Sequence, residues 1–166
     1  MKANYKLLAI CIAIPLWAGA LSSLATQNNI TTFQTLTKPP LTPPGIIFPI
    51  VWTILYTLMG ISSYLVLTSN ATTLDKATAI TAYGLQLFLN ILWPIFFFRF
   101  ELYLFSFFVI VVLWLFILQT IRLFYSISKT SAYLLIPYLI WVTFAAYLNL
   151  GFVILNWYFL YFEIPP

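Results

Sequence analysis

Residues 38–52 read KPPLTPPGIIFPIVW, and five of the chain's ten prolines fall within them. The stretch lies between two long apolar runs. Proline fixes φ and donates no backbone hydrogen bond, so residues 30–44 are too polar and too proline-rich for a helix. The uncharged tract 39–74 therefore supplies one long helix rather than two. That decides the helix count of the whole chain.

Working outward, charges stand at only ten positions among 166 residues: Lys2, Lys6, Lys38, Asp75, Lys76, Arg99, Glu101, Arg122, Lys129 and Glu163. Hydrophobic residues make up 63% and charged residues 6%, against about 25% charged in soluble domains. A bilayer is the solvent such a composition suits. About 20 apolar residues at a 1.5 Å rise cross the hydrocarbon core, and the uncharged tracts 7–37, 39–74, 77–98, 102–121 and 130–162 each supply one crossing. The expected fold is all-α: a single domain over 1–166 forming an integral membrane bundle of five transmembrane helices. The helices are expected at about 7–25, 46–68, 78–98, 103–126 and 132–160, with a proline-rich lid loop over 27–45. Short connections after the second, third and fourth helices predict that successive helices pack as antiparallel neighbours.

Lys2, Lys6, Lys76, Arg122 and Lys129 fall on the amino-terminal side of this arrangement, and Lys38 and Arg99 on the other. The positive-inside rule then places the amino terminus in the cytoplasm. Residues 7–21 followed by SSLA have the outline of a cleavable signal peptide. The length of the apolar run and its Trp17 favour a retained helix.

The inventory excludes much chemistry. Without histidine there is no Ser-His-Asp or Cys-His machinery, no ordinary zinc site and no His-ligated haem. The three carboxylates lie at helix ends, so a paired acid and base inside the bundle is not expected. No intramembrane charge marks an ion relay. Seven scattered basic residues build no nucleic-acid patch. Cys11 is the lone cysteine. No metal and no required cofactor are expected.

What remains is aromatic: 16 Phe, 11 Tyr and 6 Trp. Phe48, Trp52, Tyr56, Met59 and Ser63 recur at helical spacing and share one face of the second helix. Gln86, Asn90, Trp93 and Phe97 share a face of the third, and Trp141, Ala145, Leu148 and Phe152 one of the fifth. An amide facing lipid is costly, so Asn90 and Gln86 should turn inward. Small Ala145 leaves room beside Trp141. Pro94 and Pro137 are expected to kink their helices. Trp17 and Trp114 have no polar company in the pattern and are expected as bundle or lipid contacts. Two readings of the faces stay open: a packed aromatic core, or an apolar small-molecule pocket oriented by indole N–H, Asn90 and tyrosine hydroxyls.

KPPLTPPG, PIVWTILYTLMGISSY, LNILWPIFFF and LLIPYLIWVTFAAYLNL, in that order between about 33 and 150, resemble the TspO/MBR family of tryptophan-rich sensory and translocator proteins. The resemblance implies a five-helix membrane fold, in the cell membrane of a bacterium, and a tetrapyrrole ligand such as protoporphyrin IX or haem. It implies a pocket between the helices, roofed by the proline-rich loop, with Phe33, Pro43, Trp52, Tyr56, Asn90, Trp93, Trp141, Ala145 and Leu148 as ligand-binding candidates. Lys38 is a candidate partner for a propionate. It also implies a homodimer, for which the sequence shows no clear seam. Two alternatives to a receptor follow from it: light- and oxygen-dependent degradation of the porphyrin, with Trp52 and Trp141 as catalytic residues, or transport of the ligand without ion coupling. Leu41, Thr32 and Val109 depart from the family's usual Trp, aromatic and Asp. No basic residue follows Lys129, so the mammalian sterol motif is absent.

Overall fold

The computed structural model describes residues 4–26 and 36–157. Helix α1 spans Tyr5–Thr26 and α2 spans Ile47–Leu67. Helix α3 spans Thr73–Pro94 and runs on into a π-helical turn, Ile95–Arg99. Helix α4 spans Tyr103–Ile127. The last crossing is broken into α5, Lys129–Leu134, and α6, Ile136–Leu155. Taken as Tyr5–Thr26, Ile47–Leu67, Thr73–Arg99, Tyr103–Ile127 and Lys129–Leu155, five segments are long and apolar enough to span a bilayer. The chain is an integral membrane protein of five spans.

The helix ends follow local chemistry. Thr72 caps α3: its hydroxyl oxygen accepts from the Asp75 N–H at 3.1 Å and donates to the Asp75 carboxylate at 2.7 Å. This capping arrangement starts the helix at Thr73, five residues before the boundary expected from charge alone. Lys76 donates to the Leu67 and Ser69 carbonyls at 3.1 and 2.5 Å. It satisfies carbonyls at the carboxy-terminal end of α2 and closes the short link. Pro49 lies in the first turn of α2, where a missing N–H matters least.

Regular helical geometry is interrupted next to both prolines expected to kink their helices. Pro94 ends regular α-helical geometry, and the Phe100 N–H then reaches back five residues to the Ile95 carbonyl at 3.0 Å. Nearby, the Ser22 hydroxyl donates to the Ile91 carbonyl at 3.3 Å. Pro137 stands at the start of α6, just after the break at Leu135. The last crossing, expected over about 132–160, is thus two helices within Lys129–Leu155, and residues 158–160 lie outside the described residues.

The neighbour order also differs from the expected succession. Helix α1 packs against both α2 and α3, which make few direct contacts with each other. Helix α4 packs on α3, α5 and α6, and α5 closes the ring against α2. The cause lies at Gly60. A Cβ there would collide with the Ile12 backbone and stand 2.7 Å from the Cys11 carbonyl oxygen, so the absence of a side chain lets α1 lie directly on α2. Helix α1 is thus built into the bundle.

Two apolar clusters fill the interior. The larger includes Leu55, Met59, Val66, Ile110, Leu113, Ile117, Phe124, Tyr138 and Val142. The smaller joins Leu36, Phe97, Tyr103, Leu148, Phe152 and Val153 at the end of the bundle that bears the proline-rich loop.

Gly60→Ala is expected to force α1 off α2 at a cost of about 1–3 kcal/mol. Thermal unfolding of the detergent-solubilised protein should show a lowered midpoint. An unchanged midpoint would mean that the close approach of α1 to α2 is not needed.

Candidate functional site

The three aromatic faces meet, and a line of polar atoms joins them. Tyr56 on α2 donates to Asn90 Oδ1 on α3 at 2.7 Å. Asn90 Nδ2 donates to the Tyr138 hydroxyl on α6 at 3.0 Å, and Tyr138 donates to Gln86 Oε1 at 2.8 Å. All four side chains are buried. Each link crosses between helices, and the amides turn inward as their cost in lipid requires.

Around this line stand the rings. Trp52 stacks on Tyr56 with centroids 5.2 Å apart and meets Tyr138 edge-on at 6.1 Å. Trp141, one helical turn beyond Tyr138, contacts Phe48 at 5.9 Å and Phe144 at 5.7 Å. Gly19 on α1 makes room for Tyr56, since a Cβ there would overlap the tyrosine ring. The indole N–H of Trp141 is buried and has no hydrogen-bond partner.

The sequence-predicted residues divide among these settings. Tyr56, Trp52, Trp141 and Ala145 lie in or against the larger cluster, together with Asn90's partner Tyr138. Trp93 touches both clusters, and Leu148 belongs to the smaller one. Trp93 donates to Asn149 Oδ1 at 2.9 Å, so its N–H is already occupied. Asn90, expected to orient a ligand, is 2% exposed and bonded to two tyrosines. Pro43 is half-buried on the loop. Lys38 is exposed. Phe33 lies outside the described residues. Trp114 corrects an expectation: its N–H donates to the Thr143 hydroxyl at 2.9 Å, so it does have polar company.

The loop is held down more firmly than its prolines alone require. Asn156 accepts from the Thr37 N–H at 2.8 Å and donates to the Thr37 carbonyl at 3.0 Å. One side-chain amide thus pairs with a backbone as a neighbouring strand would. Leu36 is buried among Phe97, Tyr103, Leu148, Phe152 and Val153. Pro39 rests on Gly151, where a Cβ would approach it to 2.7 Å. Tyr147 donates to the Pro40 carbonyl at 3.1 Å. Beneath, Asn149 accepts from Ser106 at 3.0 Å and donates to the Tyr103 carbonyl at 2.9 Å. Three of these residues, Tyr138, Asn149 and Asn156, were not among the sequence candidates. The signal existed for the two asparagines: one amide lies in an apolar helix and the other caps its end, seven residues apart and so on one face.

With this geometry in view, comparison with known proteins is decisive. Residues 11–155 match the TspO/MBR family. The chain belongs to that family. It is 38% identical over 157 residues to the tryptophan-rich protein TspO of Chlorobaculum tepidum, covering 94% of this chain and 99% of that one. It is 36% identical over 151 residues to the tryptophan-rich protein TspO of Archaeoglobus fulgidus, covering 91% and 97%. The likeness reaches the translocator protein 2 of the dog, at 30% over 141 residues, covering 83% and 82%. TspO/MBR membership matches the five-span fold already described.

The clasp on the loop yields a direct expectation. Asn156→Ala removes two hydrogen bonds to Thr37 and should loosen this segment by about 1–2 kcal/mol. Hydrogen exchange at the Thr37 amide should then quicken by about tenfold or more, with exchange in α4 unchanged. Equal protection in both proteins would show that Leu36 and Pro39 suffice to hold the loop.

Proposed function

We propose that this TspO/MBR protein is a membrane receptor for tetrapyrroles, protoporphyrin IX or haem, or for similar flat apolar ligands. The ligand lies between the helices against Trp52 and Trp141. The proline-rich loop covers it. The observation that carries the proposal is the Trp141 indole: a buried donor without a partner, set among Phe48 and Phe144. A buried unpaired N–H costs about 1–3 kcal/mol. Such a group is a functional candidate when it borders an aromatic surface. The name of a further relative, the tryptophan-rich sensory protein of Cereibacter sphaeroides, 35% identical over 125 residues and covering 75% of this chain and 77% of that one, supports sensing rather than scaffolding.

The described conformation is closed. Tyr56, Asn90, Tyr138 and Gln86 bond one another and leave little of themselves exposed. Entry of a macrocycle therefore requires the rings to part, and the stiff loop limits how much disorder that opening brings. The ligand is taken as a free-base porphyrin or a haem held through its ring, because no histidine is present to ligate iron. Orientation follows the basic residues: the amino terminus and the α2–α3 link face the cytoplasm of a bacterial cell, and the proline-rich loop faces outward.

Titration of the solubilised protein with protoporphyrin IX in the dark should show saturable binding. Tryptophan quenching and the Soret band report it. Trp141→Phe, which removes the N–H and part of the ring, should weaken binding about tenfold, or about 1.4 kcal/mol. Trp52→Phe should weaken it as well. Trp17→Phe, on the exposed face of α1, should leave it unchanged. Unaltered affinity in both pocket variants would remove the site assignment, and a failure of the parent to saturate would remove the tetrapyrrole.

A further inference from the structure

Asn90, Gln86 and Asn149 are buried in the bundle, as amides within a membrane should be. Gln119 and Arg122 are not: both are exposed on α4. They continue a stripe that begins with Phe108, Val112 and Leu115, which are 59%, 42% and 53% exposed. Steps of four, three, four and three residues put all five on one helix face. Helix α4 ends at Ile127. At a rise of 1.5 Å per residue, Arg122 stands about 8 Å short of that end and Gln119 about 12 Å. Polar groups at such depth ordinarily face protein or pair with one another. Among the described residues, neither of these two side chains has a hydrogen-bond or ion-pair partner.

A second cation lies beside them. Lys129 opens α5 and holds its ammonium 5.6 Å from the centre of the Tyr125 ring. Tyr125 follows Arg122 by three residues and is its neighbour on the helix surface, so the two cations flank one ring. Tyr133 meets that ring edge-on at 6.1 Å, and both tyrosines are exposed. Rings with an apolar body and a polar tip suit a membrane–water interface. No carboxylate balances the two cations among the described residues. Asp75 is bonded to Thr72, and Glu101 stands before the opposite end of α4. Along the strip, cations come first, then an amide, then apolar side chains. A phospholipid has the same order: phosphate, ester carbonyls, acyl chains. We infer that this strip seats an anionic phospholipid of the leaflet at the amino-terminal end of the bundle. Arg122 and Lys129 donate to the phosphate oxygens. The Gln119 amide donates to an ester carbonyl, and the chains lie along Leu115, Val112 and Phe108. Two uncompensated cations favour a headgroup of net negative charge over a zwitterionic one. The seat is on the outside of the bundle and stands apart from Trp52 and Trp141.

Dioleoylphosphatidylglycerol and dioleoylphosphatidylcholine share their chains and ester groups and differ in headgroup charge, and they are the probes. Both are offered in equal amounts to the full chain in an uncharged maltoside, and bound lipid is counted by native mass spectrometry. The parent should retain the anionic lipid at least about tenfold over the zwitterionic one. Arg122→Gln and Lys129→Gln should each cut that preference about fivefold, and the double variant should abolish it. Both side chains are exposed, so the variants should fold. Lys6→Gln removes an equal charge at the same end of the bundle, but on α1, which packs on α2 and α3. It should keep the parent's preference. Equal retention of the two lipids by the parent would overturn the seat, and so would a preference that survives in the double variant. A loss in Lys6→Gln as large as in Arg122→Gln would reveal attraction to net charge alone, and would overturn it as well.

Discussion

Asn90 is the point through which the bundle is tied. One amide on α3 receives a hydroxyl from α2 and gives an N–H to α6. Within a bilayer, apolar packing between helices gains little, because lipid chains are as apolar as leucine. Polar contacts and close backbone approach must decide which helices meet. Asn90 settles the first for three helices at once, and Gly60 settles the second for α1 against α2. The positions of Trp52 and Trp141 follow. Trp52 is stacked on a tyrosine whose hydroxyl Asn90 holds, and Trp141 lies a turn from the other tyrosine it holds.

The same device recurs at the loop-bearing end. Asn149 gathers Trp93, Ser106 and the Tyr103 carbonyl, drawing α3, α4 and α6 together. Asn156, two turns further on, takes both backbone groups of Thr37. The proline-rich segment cannot form a ladder with other backbone, because so many of its nitrogens carry no hydrogen. A side-chain amide at a helix end can still grip it at Thr37, immediately before Lys38 and the first proline pair. Stiffness and attachment are therefore separate properties: the prolines provide the first, and Asn156, Leu36 and the Gly151 surface provide the second.

The span count was legible because bilayer thickness converts directly into residue number, and charges mark where spans stop. The inward turn of Asn90 and Gln86 was legible for a similar reason, since an amide has nowhere else to go. Neighbour order was not. The rule that short links make neighbours fails for α2 and α3 because α1 packs against both of them, on α2 at a glycine whose role no periodicity reveals. The partners of each amide were equally hidden. Asn90 looks like a ligand-orienting group in the sequence, yet Tyr56 and Tyr138 occupy it. Only the spatial arrangement distinguishes it from Trp141, whose N–H is left over. The start of α3 was misplaced because charge was used where Thr72 and Asp75 carried a capping signal.

Among the described residues, two buried N–H groups are left over: the Trp141 indole and the Gln86 amide. In a bundle with this little polar chemistry, that bias is informative. Unpaired carbonyl oxygens are tolerated more readily than unpaired N–H groups, because one of their two lone pairs is commonly already used. Two N–H groups kept dry in a membrane interior are costly to leave unpaired. Any acceptor that reaches them recovers that cost, and flat hydrocarbon does not. The Asn90 line joins the rings to one of these groups, since the tyrosines that support Trp52 also end at the Gln86 amide.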